Sequence, residues 1–335
     1  MDGNQQSLFD FTDHDSPGSS DPNTGFLFRS VNWLIGLMEC PGIGPNKALT
    51  IASRFHNLEE IAVTNPEYLT RLLKGTELDI RSIREVDATP PDDVQVVTYF
   101  DEIYPAGLRD LPNPPPVLWY RGELSAEPAT AVVGTRHPSQ AGLNFAQQAG
   151  EIASELGVSI VSGLALGIDT AAHQGSLLHS GTNIAVLACD VRHPTPRSNI
   201  KIADSILENG GCLVAEVPPG TETESRNLVA RNRIQAAWAR NLIMAECGIP
   251  SGTLHTVRFA LEINRPVGVF VSEYQASGGT TWLGNLALAS EEGLDPVILG
   301  GTKSFQVKIR DRKPCADELI SSKYLLKKFI EAARS

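Results

Sequence analysis

AVVGTRHPSQAGLNFAQQAGEIASELGVSIVSGLALGIDTAA, residues 131–172, reads as strand, tight turn, helix, strand, glycine-rich turn and helix. Residues 131–133 form a short apolar run, the pattern of a strand buried on both faces. Gly134, Thr135 and Arg136 turn the chain, and Ser139 is placed to cap the helix that follows. In that helix Leu143, Ala146, Ala149, Ile152, Ala153 and Leu156 recur at three-and-four spacing, and Gly157 ends it. Residues 158–161 are a second buried strand, and 162–169 a second turn into a helix. Two such turns side by side aim N–H groups, hydroxyls and one arginine at a common crevice. It lies beyond the carboxyl ends of parallel strands, where phosphates and other anions bind.

The same alternation continues. Apolar runs at 183–188, 212–215, 241–245 and 267–271 are separated by helical segments. The fold class is therefore α/β: a mostly parallel sheet with helices on both faces. Two further strands precede it, at 94–100 and within 114–122. Four parts are expected: a disordered acidic tail at 1–25, a small all-helical domain at 26–88, the parallel-sheet core at 89–300, and a C-terminal strand and basic helix at 301–335. That last strand is placed at 304–309.

Hydrophobic residues make up 41% and charged residues 20% of the 335, the balance of an ordinary globular chain. No apolar run approaches the ~18 residues a membrane helix needs. The N-terminus lacks the basic and apolar regions of a secretion signal. The five cysteines are scattered and form no CxxC pair, which argues against structural zinc and a disulfide framework. A reducing cytoplasm fits them, with Cys189, Cys212 and Cys247 as buried core thiols. The net charge is −11, but residues 1–24 hold five acids and no Lys or Arg, so the remainder carries −6. Residues 301–335 carry nine Lys/Arg against four Asp/Glu. A local basic crevice is compatible with this distribution; a broad basic face is not.

In the helical segment, Pro41-Gly42-Ile43-Gly44-Pro45-Asn46-Lys47 joins two apolar helices in the manner of a helix-hairpin-helix. Gly42 and Gly44 would let the backbone approach a DNA phosphate, with Lys47 beside it. A hairpin that only packs, or binds protein, fits the same residues. In the crevice, Arg136 offers a bidentate phosphate contact, or pairs with a nearby carboxylate. Ser162, Gly163 and Gly167 line the second turn, and glycine there also serves plain turn geometry. Arg231, Asn232 and Arg233 are read as opening a helix after a loop at 218–227; the alternative is salt bridging to Glu222 or Glu224. Ser251 and Gly252 begin another helix, as an anion site or a simple cap. His173 and His179 are read as core or surface residues. Asp169 is read as a brace for its helix. There is no GxxxxGK[ST] and no HExxH, so neither a hydrolytic P-loop nor a zinc protease is indicated.

These motifs together resemble the DNA-processing protein A (DprA, or Smf) family. YPAGLRDL, PPPVLWYRG, VVGTR, SGLALGID, GTNIAVLAC, EVPPGT, RNRI and SGTLHTVRFALE carry the likeness, over about residues 30–290. The resemblance implies an extended Rossmann-like fold with a helical N-terminal domain, and a homodimer that binds single-stranded DNA and loads the RecA recombinase on it. It implies neither catalysis, cofactor nor metal. Leu166 stands where the family usually has Arg, and Leu228-Val229 where it has Phe-Pro. Asp190 adds an acid beside the crevice, where it would repel phosphate. These departures motivate a second hypothesis, a nucleotide-sensing or nucleotide-cleaving protein using the same crevice.

Overall fold

The structure, a computed structural model, describes residues 27–124, 128–272 and 279–334. The acidic tail expected at 1–25 lies outside the described residues.

Seven short strands supply the parallel part of the sheet: β3 (Ala129–Val133), β4 (Ser159–Ser162), β5 (Asn183–Leu187), β6 (Cys212–Ala215), β7 (Asn241–Met244), β8 (Val267–Phe270) and β9 (Glu318–Ile320). Two more, β1 (Gln95–Thr98) and β2 (Val117–Gly122), add an antiparallel edge against β6. The order is β1-β2-β6-β5-β4-β3-β7-β8-β9. From β3 the chain steps outward through β4, β5 and β6, then returns to lay β7 on the other side of β3. That reversal makes β3 the topological switch point, and the crevice opens at its carboxyl end.

Apolar residues on both faces of β3 explain why its sequence does not alternate. Val132 joins a core with helices α5 (Gln140–Glu155), α6 (Ile168–Leu177) and α12 (Lys323–Glu331). Ala131 and Val133 face the other way, into a core shared with α8 (Ser225–Trp238) and α9 (Thr253–Glu262). A further helix, α7 (Ile200–Glu208), packs on β5, β6 and α6. Across the switch point Thr130 Oγ1 donates to Asn241 Oδ1 at 2.8 Å, a buried bond between β3 and β7.

The N-terminal helices are α1 (Val31–Glu39), α2 (Pro45–Arg54), α3 (Leu58–Ala62) and α4 (Pro66–Leu72). Asn57 and Asn65 cap α3 and α4 with side-chain oxygens, as their position before each helix leads one to expect. Phe28, Leu34, Leu37 and Ile51 are fully buried and continuous with the core of the β1–β2 edge. Asn46 reaches across to donate to the Pro112 carbonyl at 2.8 Å.

Residues 304–309 are not a strand. They lie in α11 (Lys303–Arg310), which follows α10 (Leu283–Ala289). Phe305, Val307 and Ile309 alternate in sequence, but only Phe305 and Ile309, four apart, are buried; Val307 is 61% exposed. Thr302 caps the helix by accepting from the Phe305 N–H. The C-terminal strand is instead β9, paired in parallel with β8, and the basic helix α12 then packs against α5.

Candidate nucleic-acid interface

Three chain segments meet where β3, β4 and β7 end. The first turn, 134–139, is held from behind by Glu246: the Thr135 N–H donates to its backbone carbonyl at 2.8 Å. Its side-chain Oε2 accepts from the Ser139 N–H at 2.9 Å and the Ser139 hydroxyl at 2.7 Å. Ser139 in turn caps α5 by accepting from the Gly142 N–H. With both ends fixed, the turn projects Arg136 into solvent. Arg136 is exposed and ion-pairs with none of the described residues.

The second turn is locked to the first. Gly167, at φ +80°, precedes α6, and the Ile168 N–H donates to the Thr135 carbonyl at 3.2 Å. A side chain at Gly167 would stand 2.5 Å from that same carbonyl, so glycine is required there both for conformation and for space. Asp169, buried, folds back over the turn and accepts from the N–H groups of Gly163 at 3.1 Å and Ala165 at 3.4 Å. Ser162 is fully buried, and its hydroxyl donates to the Val132 carbonyl at 2.7 Å. It therefore braces β3 and does not face the crevice.

The third segment is α8. It starts at Ser225, so Arg231, Asn232 and Arg233 sit in mid-helix and not at its opening. Positions i and i+2 of a helix are turned ~200° from each other, so the two arginines part company. Arg231 turns inward, donating from Nη1 to the Val186 carbonyl at 2.7 Å, while its Nε is buried without a hydrogen-bond partner. Burial pulls the guanidinium below its ordinary range; Asp169 opposes this, and Arg136 adds to it. Burial likewise pushes the Asp169 carboxyl up, with Arg231 and the two N–H groups acting against it. Arg233 points elsewhere, pairing with Glu216 at 2.5 Å, and lines neither hollow of the crevice. Asn232 donates to the Gly252 carbonyl at 3.2 Å and so ties α8 to the start of α9. There Ser251 accepts from the Thr253 N–H, and Gly252 leaves the helix entrance open.

What results is a crevice of two adjoining hollows, about 430 and 260 Å³, that share Arg136, Ala165, Leu228 and Arg231. Gly134, Thr135, Asn232, Ser251 and Gly252 line the larger; Gly163 and Leu166 line the smaller. The arrangement is a cleft with one free and one buried guanidinium on a partly apolar wall. It suits a flexible anion with apolar parts.

Asp190 lines neither hollow of the crevice. It lines a third hollow of about 700 Å³ with Arg192, His193 and Arg197, which meets the smaller one at Thr195 and Thr223. Burial works against its charge, but Arg192, the Gly220 N–H and His193 outweigh that and hold the carboxyl well below the usual range. The hairpin residues Gly42, Gly44 and Lys47 lie at the β1–β2 edge and line neither crevice hollow. Lys47 is turned onto its own hairpin, donating to the Gly42 carbonyl at 2.9 Å and to the Thr76 hydroxyl. His173 is fully buried, as a core histidine should be. All five cysteines are buried and free. Among the described residues no helix is long and apolar enough to cross a membrane, and no cluster of His, Cys, Asp or Glu is arranged to hold a metal ion.

Sequence reasoning missed Glu246. It lies 107 positions from Ser139, and nothing local to either residue announces the bond.

Residues 95–293 match the family model described as DNA recombination-mediator protein A. The chain is similar to Protein Smf of Synechocystis sp., 31% identical over 242 residues, covering 68% of this chain and 61% of that protein. It is also similar to Protein Smf of Escherichia coli, 38% identical over 168 residues, covering 50% of this chain and 45% of that one. The chain thus spans 45–61% of the length of these curated relatives. Among solved structures it is similar to DNA processing protein A (DprA) from Streptococcus pneumoniae, with TM-score 0.54 and 25% identity, covering 78% of this chain and 93% of that one.

Proposed function

The chain belongs to the DNA recombination-mediator protein A family, and from that premise we propose that it binds single-stranded DNA in the crevice at the end of β3. As a homodimer, it would hand the strand to a RecA-type recombinase and catalyse nothing itself. The observation that carries the reading is Arg136. It is an exposed guanidinium without an ion-pair partner among the described residues, on a turn fixed at both ends, opposite a second guanidinium at Arg231. Both line the same hollow, where guanidinium groups suit phosphodiester oxygens.

Leu166 and Leu228 give the crevice an apolar wall in place of further charge. Bases rather than additional phosphates would meet that wall, which favours a single strand, whose bases are exposed, over a duplex. Membership and crevice chemistry both support the reading, and the negative net charge does not oppose it, since the acids near the crevice are already engaged. The hairpin at 41–47 would supply at most backbone N–H contacts to a second stretch of the strand.

The experiment is a titration of the full chain with a dT oligomer and with a duplex of equal length, over 50–200 mM salt, a range that resolves phosphate contacts. The dT oligomer should bind more tightly than the duplex, with an affinity that falls as salt rises. Equal affinity for both, or no salt dependence, removes the assignment. Strand exchange with and without the chain then tests delivery to the recombinase.

A further inference from the structure

Glycine-rich turns at the ends of parallel strands hold nucleotides because their N–H groups, and the helix start behind them, point at the phosphates. In this chain both turns already have a buried carboxyl group as acceptor. Glu246 is fully buried behind the first, with Oε2 on the Ser139 N–H and hydroxyl at the start of α5. The fit is close: a side chain on Gly142, in the first turn of α5, would stand 2.2 Å from that oxygen. Asp169, also buried, fills the second turn on the N–H groups of Gly163 and Ala165.

We propose that Glu246 and Asp169 are built-in acceptors that determine specificity: they take up the N–H and hydroxyl donors that a nucleotide's phosphates would use, so the crevice excludes free nucleotides and takes its phosphates on guanidinium groups. The proposal rests on the strand-binding reading above and adds the selection within it. A pyrophosphate needs the backbone turn itself, because its charge is concentrated in one place. A strand spreads one charge per nucleotide and is content with separate side-chain contacts at Arg136 and Arg231. The exclusion is one of donors and space, since a phosphate entering either turn would meet a carboxyl group already accepting the N–H groups it needs.

The test is calorimetric titration and thermal shift of the full chain with inorganic phosphate, ADP, NAD and a dT oligomer. The wild-type chain should respond to the oligomer and to none of the three small anions. Glu246→Ala empties the start of α5, and its affinity for inorganic phosphate should rise about tenfold or more. Glu246→Gln, which keeps an acceptor and fills the space, should remain closed. Phosphate or ADP binding to the wild type overturns the proposal, as does a folded Glu246→Ala chain that gains nothing. If Glu246→Ala does not fold, the wild-type and Glu246→Gln titrations still decide, since small-anion binding by either sinks the proposal and its absence from both sustains it. Failure of the oligomer to bind counts against the strand-binding reading, whereas small-anion binding counts against this one.

Discussion

The Arg231 guanidinium occupies the space that a side chain would need at Gly163: a Cβ there would stand 1.5 Å from Nη1 and 2.2 Å from Cζ. The glycine of the second turn is thus fixed by an arginine 68 positions away in the chain, and not by the turn's own conformation. Arg231 completes the arrangement by bonding the Val186 carbonyl at the end of β5 and facing Asp169. One buried cation therefore joins β5, the second turn and α8.

That relationship predicts a coupling. Gly163→Ala overpacks the site and should cost about 1–3 kcal/mol. Arg231→Ala removes the buried, charged hydrogen bond to the Val186 carbonyl and should cost about 1.5–3 kcal/mol. In the double variant the Gly163 change should cost little, because the space is then vacant. Urea unfolding of the four proteins measures this. Strict additivity would mean that the guanidinium does not rest on Gly163.

Arg136→Ala should leave stability unchanged and weaken dT-oligomer binding by about tenfold or more, the scale of one charge-assisted contact. The dependence of log K on log salt should shrink by about 0.7, the share of one phosphate on a single strand. Titration at three salt concentrations reads both. An unaltered slope would take Arg136 out of the interface.

Arg233 is predicted to behave in the opposite way. It is paired with Glu216 away from the crevice, so Arg233→Ala should lower stability by about 1.5–3 kcal/mol. Its effect on oligomer affinity should be negligible, provided binding is measured where the variant is folded. A large affinity loss with intact folding would place the strand along a different path.

His173 makes stability depend on pH. It is fully buried, and burial lowers its pKa from 6.5 to about 4, with Arg231 contributing and the Asn183 hydrogen bond opposing. Between those values the unfolded chain takes a proton that the folded chain refuses. The stabilisation is complete above about 6.5 and is lost as pH falls toward 4, with a full span of ~3 kcal/mol. Urea midpoints at pH 7.5 and pH 5 should therefore differ, and His173→Gln should reduce the difference. An identical pH dependence in the variant would assign it to other groups.

The alternation of apolar strands and striped helices determined the parallel sheet, because burial on both faces leaves a pattern that needs no partner to be read; the strand order and the switch point at β3 came only with the pairing. The two turns and the Ser139 cap were legible for a related reason: glycine conformation and capping depend on neighbours a few residues away. What the tertiary structure alone decided is which donors remain available to a ligand. Ser162 spends its hydroxyl on β3, Arg233 turns to Glu216, and Asp169 and Glu246 fill the turns that looked open. It also decided that 304–309 is a helix, since only its packing separates buried Phe305 and Ile309 from exposed Val307. Local rules specify backbone shape through steric and hydrogen-bonding preferences of adjacent residues. The electrostatics of a crevice is a balance among side chains delivered from distant segments, and that balance exists only once the chain has folded.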